Sequence, residues 1–291
     1  MKKREKIKIA MGQLLVEGGE PWRNFERAKK MIEKASKENC DIILLPEAID
    51  FAWTHPSLYN EAEPIPGKFS DFFCNLAKKN NIFICLGLTE KISKNNFYNS
   101  ALLINRTGKI LINYHKINLL DVEQPFYEVG DHLRVVDTEF GRLGINICAD
   151  NYKNSVHIGK TLASMGAKII LSPSAWTVDH SITEIDEPYG EKWIKPLSYI
   201  AKMYEILVVS TTSVGYIVGG PYEGKKMIGC SLAVNKDGII KKGKFNEFAG
   251  DLVIFNSKIP KNQEIGTDLN NRILKKGFKP EIELWEQTKK M

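Results

Sequence analysis

Asp41-Ile42-Ile43-Leu44-Leu45-Pro46-Glu47-Ala48 is a short apolar run that ends in a proline and a carboxylate. The same order recurs later in the chain as Ala167-Lys168-Ile169-Ile170-Leu171-Ser172-Pro173-Ser174-Ala175, and a helical pattern precedes each copy. Continuous apolar runs of this length are typical of strands that are buried on both faces. Two similar halves predict an α/β fold in which two β-sheets pack face to face with helices outside. A single doubly wound sheet is the alternative, but the many hairpin patterns argue against it.

Strand-like and helical patterns alternate along most of the chain. We predict helices over 21–38, 70–79, 157–165 and 192–204, with Pro21 in a first turn and Ser70 as an N-cap. Strands are predicted over 8–11, 41–45, 82–88, 99–105, 109–114, 134–137, 143–148, 168–171, 206–210, 230–235, 239–241 and 251–255. The segment 259–291 is basic and polar with few apolar anchors. We therefore predict one domain over 1–258 and a C-terminal arm that packs on the core or on a partner subunit.

The composition argues against several classes of protein. The chain has 291 residues, of which 43% are hydrophobic and 26% charged, as is ordinary for a globular protein. The net charge of +6 is spread along the chain rather than gathered beside aromatic residues, so we expect no nucleic-acid partner. No apolar run approaches the ~20 residues of a membrane span, and no apolar signal-peptide region follows the basic first residues. The five cysteines are widely spaced without a C-x-x-C pair, which favours a reducing cytoplasm.

Three reactive side chains stand at the ends of predicted strands. Glu47 ends the first quoted run, Lys116 follows the strand over 109–114, and Cys148 ends the run Gly144-Ile145-Asn146-Ile147-Cys148. A thiol at the end of a buried strand is held rigidly while the following turn exposes it, as a nucleophile requires. Glu47 would then act as general base. The ammonium of Lys116 would lower the pKa of the thiol and stabilise an oxyanion, together with the backbone N–H of Ala149.

The chain contains an ordered set of motifs, namely Pro46-Glu47-Ala48, the segments 115–119 and 144–150, Phe126 with Gly130-Asp131, and the segment 229–238. This set resembles the nitrilase, or carbon–nitrogen hydrolase, superfamily, in its amidase-like branch. The resemblance implies a four-layer αββα sandwich of two mixed β-sheets flanked by helices, a Glu-Lys-Cys triad, and no metal or organic cofactor. It implies hydrolysis of a small amide, carbamoyl or nitrile carbon–nitrogen bond. It also implies that Glu123 hydrogen-bonds the lysine as a fourth catalytic residue.

The substrate pocket is harder to derive from the sequence. We expect its lining to include Ala149, Asp150, Asn151, Tyr152, Trp176 and His55. The nucleophile is followed by Ala149-Asp150 rather than the Trp-Glu that is usual in true nitrilases, which favours an amidase or carbamoylase. The paired arginines of carbamoyl-amino-acid hydrolases are absent from the segment 151–154, which weakens the case for a bidentate carboxylate grip there.

Three alternatives remain open. A nitrilase is the nearest, and a non-catalytic binding or regulatory paralogue is the rival from another class. A Cys–His enzyme would need His115 or His157, but adjacent residues of a strand point to opposite faces, so His115 and Lys116 cannot serve one site.

We also expect a homodimer or larger assembly, because small and apolar residues in the helices over 157–165 and 192–204 suit contact across a two-fold axis.

Overall fold

A computed structural model describes residues 4–186, 189–261, 265–266, 274–275 and 277, apart from the side chain of Glu191. Most of the predicted C-terminal arm therefore lies outside the described residues. Within them, no helix has the length and apolar character needed to cross a membrane.

The first sheet has six strands in the order β15-β1-β2-β3-β4-β5. These strands are β1 (Lys6–Gln13), β2 (Ile42–Leu44), β3 (Phe83–Lys91), β4 (Phe97–Ile104), β5 (Ile110–His115) and β15 (Asp251–Lys258). From β15 to β5, successive pairs are antiparallel, parallel, parallel, antiparallel and antiparallel.

The second sheet has six strands in the order β14-β13-β10-β8-β7-β6. They are β6 (Val135–Thr138), β7 (Gly141–Ile145), β8 (Ile169–Ser174), β10 (Leu207–Thr212), β13 (Leu232–Asn235) and β14 (Gly238–Lys242). From β6 to β14, successive pairs are antiparallel, parallel, parallel, antiparallel and antiparallel, which is the pattern of the first sheet from β15 to β5. The two sheets match strand for strand, and β8 corresponds to β2. The strands of the two quoted runs thus occupy equivalent positions, and the predicted two-sheet α/β sandwich is confirmed.

Helices cover the outer face of each sheet. The helices are α1 (Pro21–Lys37), α2 (Leu58–Glu61), α3 (Lys68–Asn80), α4 (Val156–Ser164) and α5 (Lys195–Tyr204). In β2, Ile42 and Leu44 face the second sheet, whereas Ile43 packs with the apolar stripe of α1. Both faces of the central strands are buried, which explains why their sequences are continuously apolar rather than alternating.

A third, small sheet was not predicted. It pairs β11 (Val214–Tyr216) with β12 (Lys226–Ile228), and β12 with β9 (Thr177–Val178). Its strands have only two or three residues each, too few to show a periodic pattern.

Three local predictions were wrong. The strand that precedes Cys148 ends at Ile145, and Cys148–Asn151 form a 3₁₀ turn. The helix predicted from residue 192 begins as a π-helical turn, Gly190–Ile194, before α5. The N-cap of α3 is Gly67, and Ser70 lies inside the helix, where its hydroxyl accepts a hydrogen bond from the Gly67 N–H.

The helix faces invoked for a dimer are buried within one chain. Ile158 and Leu162 of α4 and Leu197 of α5 are 0–2% exposed. Gly159 faces Ile200, so that a Cβ at residue 159 would meet Ile200 at 3.4 Å. These residues pack α4 against α5 and cannot form a two-fold contact. The homodimer stays a prediction, but this argument for it was wrong.

Candidate active site

Glu47 lies in a tight turn beyond β2. The turn is fixed to β3, because the Gly87 N–H donates to the Pro46 carbonyl at 2.9 Å and the Ile49 N–H donates to the Gly87 carbonyl at 3.0 Å. A Cβ at residue 87 would stand 2.6 Å from the Glu47 Cα, so only glycine allows this approach. The Glu47 N–H also donates to the Ser174 carbonyl at 3.3 Å, at the end of the equivalent strand β8.

Lys116 follows β5, and its ammonium joins two carboxylates. Its Nζ lies 2.8 Å from Glu47 Oε1, and 2.7 and 2.9 Å from the two oxygens of Glu123. The side chains of all three residues are at most 1% exposed. Glu123 is held in turn by the indole N–H of Trp53 at 2.7 Å and by the Leu120 N–H at 2.9 Å. The structure therefore brings together three of the four residues predicted to be catalytic as one buried ion cluster.

Cys148 begins the 3₁₀ turn with a φ of +45°, in the left-handed region that side chains disfavour. Asp150 holds this turn, because its carboxylate accepts the Ile147 N–H at 2.8 Å and the Tyr114 hydroxyl at 2.7 Å. It also accepts the Asn118 N–H at 2.8 Å, which ties the turn to the segment that follows Lys116. Burial raises the pKa of Asp150 to about 6.

Burial and neighbouring charges set the ionisation of the cluster. Burial and the charge of Glu47 raise the pKa of the Cys148 thiol well above its ordinary value, although Lys116 lowers it. Lys116 thus acts on the thiol pKa in the predicted direction, but desolvation of the thiolate outweighs the ammonium. Burial also raises the pKa of Glu47 against the influence of Lys116, which makes this carboxylate a stronger base than an exposed one. For Lys116, burial opposes the charged form, but Glu123 and Glu47 hold its pKa well above the ordinary value.

The residues that follow Cys148 mostly form hydrogen bonds with neighbouring residues of the fold. The Asn151 amide donates to Ser172 Oγ at 2.8 Å and to the Cys148 carbonyl at 3.3 Å. The Ala149 carbonyl accepts the Asn118 side-chain N–H at 2.6 Å. The side chains of Asp150 and Asn151 are thus engaged in holding the turn.

Aromatic side chains pack in the core cluster that contains Cys148. The ring of Trp193, from the π-helical turn, stacks on Trp176 at 4.7 Å and lies 4.7 Å from the ring of Tyr152. Burial raises the pKa of Tyr152, so this phenol stays protonated. The indole nitrogen of Trp176 is buried and has no hydrogen-bond partner.

Two histidines, His55 and His115, have partners outside the cluster. His55 hydrogen-bonds Ser57 at 2.8 Å, and its ring packs against Gly18 and Gly219. The His115 ring pairs with Glu90 at 2.8 Å, on the face of the chain opposite to Lys116.

Two members of the site were missed from the sequence. Asn99 donates from Nδ2 to Glu47 Oε1 at 2.6 Å, and Trp53 donates to Glu123. A third contact comes from the backbone, where a hydrogen bond from Ala175 lowers the pKa of the Cys148 thiol. Trp53 follows the Glu47 turn closely in sequence, which was its only signal, whereas Asn99 stands in a hairpin pattern that gave none.

Comparisons with known proteins define the family. The model of the carbon–nitrogen hydrolase family matches residues 8–257. A nitrilase from Pyrococcus abyssi is 30% identical over 227 residues, which are 76% of this chain and 80% of that protein. An omega-amidase from Saccharomyces cerevisiae is 29% identical over 189 residues, which are 59% of this chain and 64% of that protein. The chain belongs to the carbon–nitrogen hydrolase family, in the amidase-like branch of the nitrilase superfamily.

A solved structure shares the fold. The amidase from Nesterenkonia sp. AN1, in a mutant with the acetamide moiety of fluoroacetamide added covalently at its active-site cysteine, matches with a TM-score of 0.76. Sequence identity is 16%, and the match covers 94% of this chain and 97% of the amidase chain. Family and fold together identify this chain as a carbon–nitrogen hydrolase.

Proposed function

We propose that this protein cleaves the carbon–nitrogen bond of a small amide or carbamoyl compound through a thioester on Cys148, releasing ammonia or an amine. One observation carries the proposal. The ammonium of Lys116 bridges Glu47 and Glu123, and Glu47 Oε2 is buried without a hydrogen-bond partner. A buried, unpartnered carboxylate oxygen is costly in a folded protein, and a role in proton transfer accounts for it.

The first half of the reaction forms the thioester. Cys148 Sγ attacks the carbonyl carbon while its proton passes to Glu47 Oε2, because the raised pKa of the thiol keeps it protonated at rest. The carbonyl oxygen becomes an oxyanion, which the Lys116 ammonium and the Ala149 backbone N–H stabilise. Glu47 then returns its proton to the leaving nitrogen as the carbon–nitrogen bond breaks.

The second half restores the enzyme. Water attacks the thioester carbon and gives one proton to Glu47, and the carbon–sulfur bond breaks to release the acid. Glu47 then passes that proton to the Cys148 thiolate. Glu123 holds the ammonium between the two carboxylates throughout. We propose that these steps use no metal or organic cofactor.

An open recess near Tyr152 supports a finer assignment of the substrate. The recess has a volume of about 470 Å³ and is lined by Tyr152, Lys153, Asn154 and Lys192. The ammonium of Lys192 lies 5.0 Å above the Tyr152 ring. Two ammonium groups with phenol and amide donors suit a carboxylate. Since the omega-amidase is among the relatives, we propose an amide whose acyl group ends in a carboxylate.

Ammonia release from a panel of compounds tests the proposal. The panel contains glutaramate, the neutral valeramide, N-carbamoyl-β-alanine and valeronitrile. We expect the fastest release from glutaramate, with Lys192→Met lowering kcat/KM for glutaramate by about 5-fold while valeramide hydrolysis is unchanged. The control is Lys236→Met, which removes an exposed lysine from the turn before β14. Release from valeronitrile alone would favour a nitrilase, and no release from any compound would favour the non-catalytic paralogue.

The proposed compartment, oligomeric state and partners follow from the sequence and the cysteines. All five cysteines are free thiols, which supports a reducing cytoplasm. We propose a homodimer or larger homo-oligomer that acts on a small molecule, with neither a nucleic acid nor a membrane as partner.

A further inference from the structure

We propose that Asn99 is a positioning residue that fixes which oxygen of Glu47 acts as the base. This inference rests on the proposed function of Glu47. Asn99 lies in β4, is 1% exposed, and touches both sides of the ion cluster. Its backbone carbonyl accepts the Lys116 N–H at 2.9 Å, so one residue holds the main chain of the lysine and the side chain of the base.

The side-chain amide of Asn99 meets both carboxylates. Its Nδ2 donates to Glu47 Oε1 at 2.6 Å and approaches Glu123 Oε1 at 3.3 Å. The amide can have only this orientation, because a carboxylate has no proton to offer the carbonyl oxygen. The structure therefore assigns a neutral donor between two anions that share one ammonium.

The bonds divide the two oxygens of Glu47 into different roles. Oε1 receives the Lys116 ammonium at 2.8 Å and the Asn99 amide at 2.6 Å, whereas Oε2 has no partner. A carboxylate held by two donors on one oxygen cannot rotate without breaking both bonds. The unpartnered Oε2 is thus kept free to take the thiol proton of Cys148 and to pass it to the leaving nitrogen.

The amide also affects how easily Glu47 loses its proton. The charged groups around Glu47 are Lys116, which lowers its pKa, and Glu123, which raises it, while burial raises it further. The neighbouring Cys148 thiol stays neutral at rest because its own pKa is raised. The hydrogen bond from Asn99 lowers the pKa of Glu47. Removal of the amide should therefore raise that pKa, so that the base becomes active only at higher pH.

Asn113 provides a matched control. It lies on the neighbouring strand β5, and its side-chain amide donates to a buried carboxylate, that of Glu90, at 2.8 Å. The side-chain carbonyl oxygen of each asparagine is buried without a partner. The two residues therefore match in bonding, but Asn113 serves a carboxylate outside the ion cluster.

The test is the pH dependence of kcat and kcat/KM for Asn99→Ala and Asn113→Ala on the best amide of the panel. We expect Asn99→Ala to lower kcat about 10-fold or more, to leave KM within about 3-fold, and to move the acidic limb upward by at least about half a pH unit. Asn99→Ser, which keeps a donor, should recover part of both effects. Asn113→Ala should leave the limb unchanged. Circular dichroism and thermal unfolding check that each variant folds.

Two results would overturn the inference alone. One is a pH profile of Asn99→Ala whose acidic limb lies at the same pH as that of an active wild type. The other is an equal shift in Asn113→Ala. If Asn99→Ala does not fold, Asn99→Leu, which has a similar size and no donor, takes its place, and a wild-type pH profile in that variant also refutes the role. Absence of amide hydrolysis and of an acyl adduct in the wild type would overturn the proposed function as well.

Discussion

At the scale of single residues, the site depends on backbone conformations that are costly on their own. Cys148 has a φ of +45°, and Ala48, which follows Glu47, has a φ of +46°. Such conformations cost about 1–3 kcal/mol each and persist only where the surroundings impose them. The bonds of Asp150 impose the first, and the close approach of Gly87 to the Glu47 turn imposes the second.

Gly87→Ala tests this coupling between the backbone and the base. A Cβ at residue 87 would lie 2.6 Å from the Glu47 Cα and 2.7 Å from the Ala48 nitrogen, so the turn must move. We expect a loss of about 1–3 kcal/mol in the free energy of unfolding and a fall in kcat of about 10-fold or more. Denaturant unfolding and steady-state kinetics measure the two effects.

Gly159→Ala is the matched control for that substitution. Its Cβ would meet Ile200 at 3.4–3.5 Å, an ordinary contact, and alanine is favourable inside a helix by up to about 1 kcal/mol. We expect wild-type activity and equal or greater stability. Similar losses in both variants would show that the approach of β3 to the Glu47 turn has no special role.

At the scale of elements, the sequence predicted the strands more reliably than the turns that follow them, where the candidate site residues lie. The repeated apolar runs correctly predicted β2 and β8, because strands buried on both faces leave a continuous apolar signal. The turn of Cys148 was predicted as strand, since Ile147 and Cys148 are apolar and nothing local showed that Asp150 would hold the chain out of the sheet.

Partners from distant segments could not be found from the sequence. Asn99 and Glu47 are 52 positions apart, and Trp53 and Glu123 are 70 positions apart. Each pair meets only because β2, β3 and β4 lie side by side in the sheet and the loop after β5 lies over their ends. The motif positions identified Glu47, Lys116 and Glu123, while their hydrogen-bond donors required the tertiary structure.

At the scale of the whole molecule, the predicted base and nucleophile come from different sheets and follow strands that are not equivalent. Glu47 follows β2 in the first sheet, and Cys148 follows β7 beside β8 in the second. The Glu47 N–H donates to the Ser174 carbonyl at the end of β8, so the Glu47 turn lies where the two sheets come together. Relative movement of the sheets would therefore separate the base from the thiol.

The proposed oligomer is tested with the whole chain. Because the apolar faces of α4 and α5 are buried internally, a dimer must use other surfaces, and the segment 259–291 is one candidate. We expect light scattering at micromolar concentration to give at least twice the 33.0 kDa of one chain. A chain ending at Lys261, which keeps all of β15, should lose mass or stability if the arm binds a partner. A fully active monomer of the complete chain would refute the assembly.

The central claim is that Cys148 forms a thioester with the acyl part of an amide. Wild type and Glu47→Gln, in which loss of the base slows hydrolysis of the thioester, are mixed with glutaramate and quenched in acid. Peptide mass spectrometry should then find the acyl group on the peptide that contains Cys148, and Cys148→Ala should show neither adduct nor turnover while remaining folded. An adduct confined to Cys40, Cys74, Cys85 or Cys230, or amide hydrolysis by Cys148→Ala, would contradict the account.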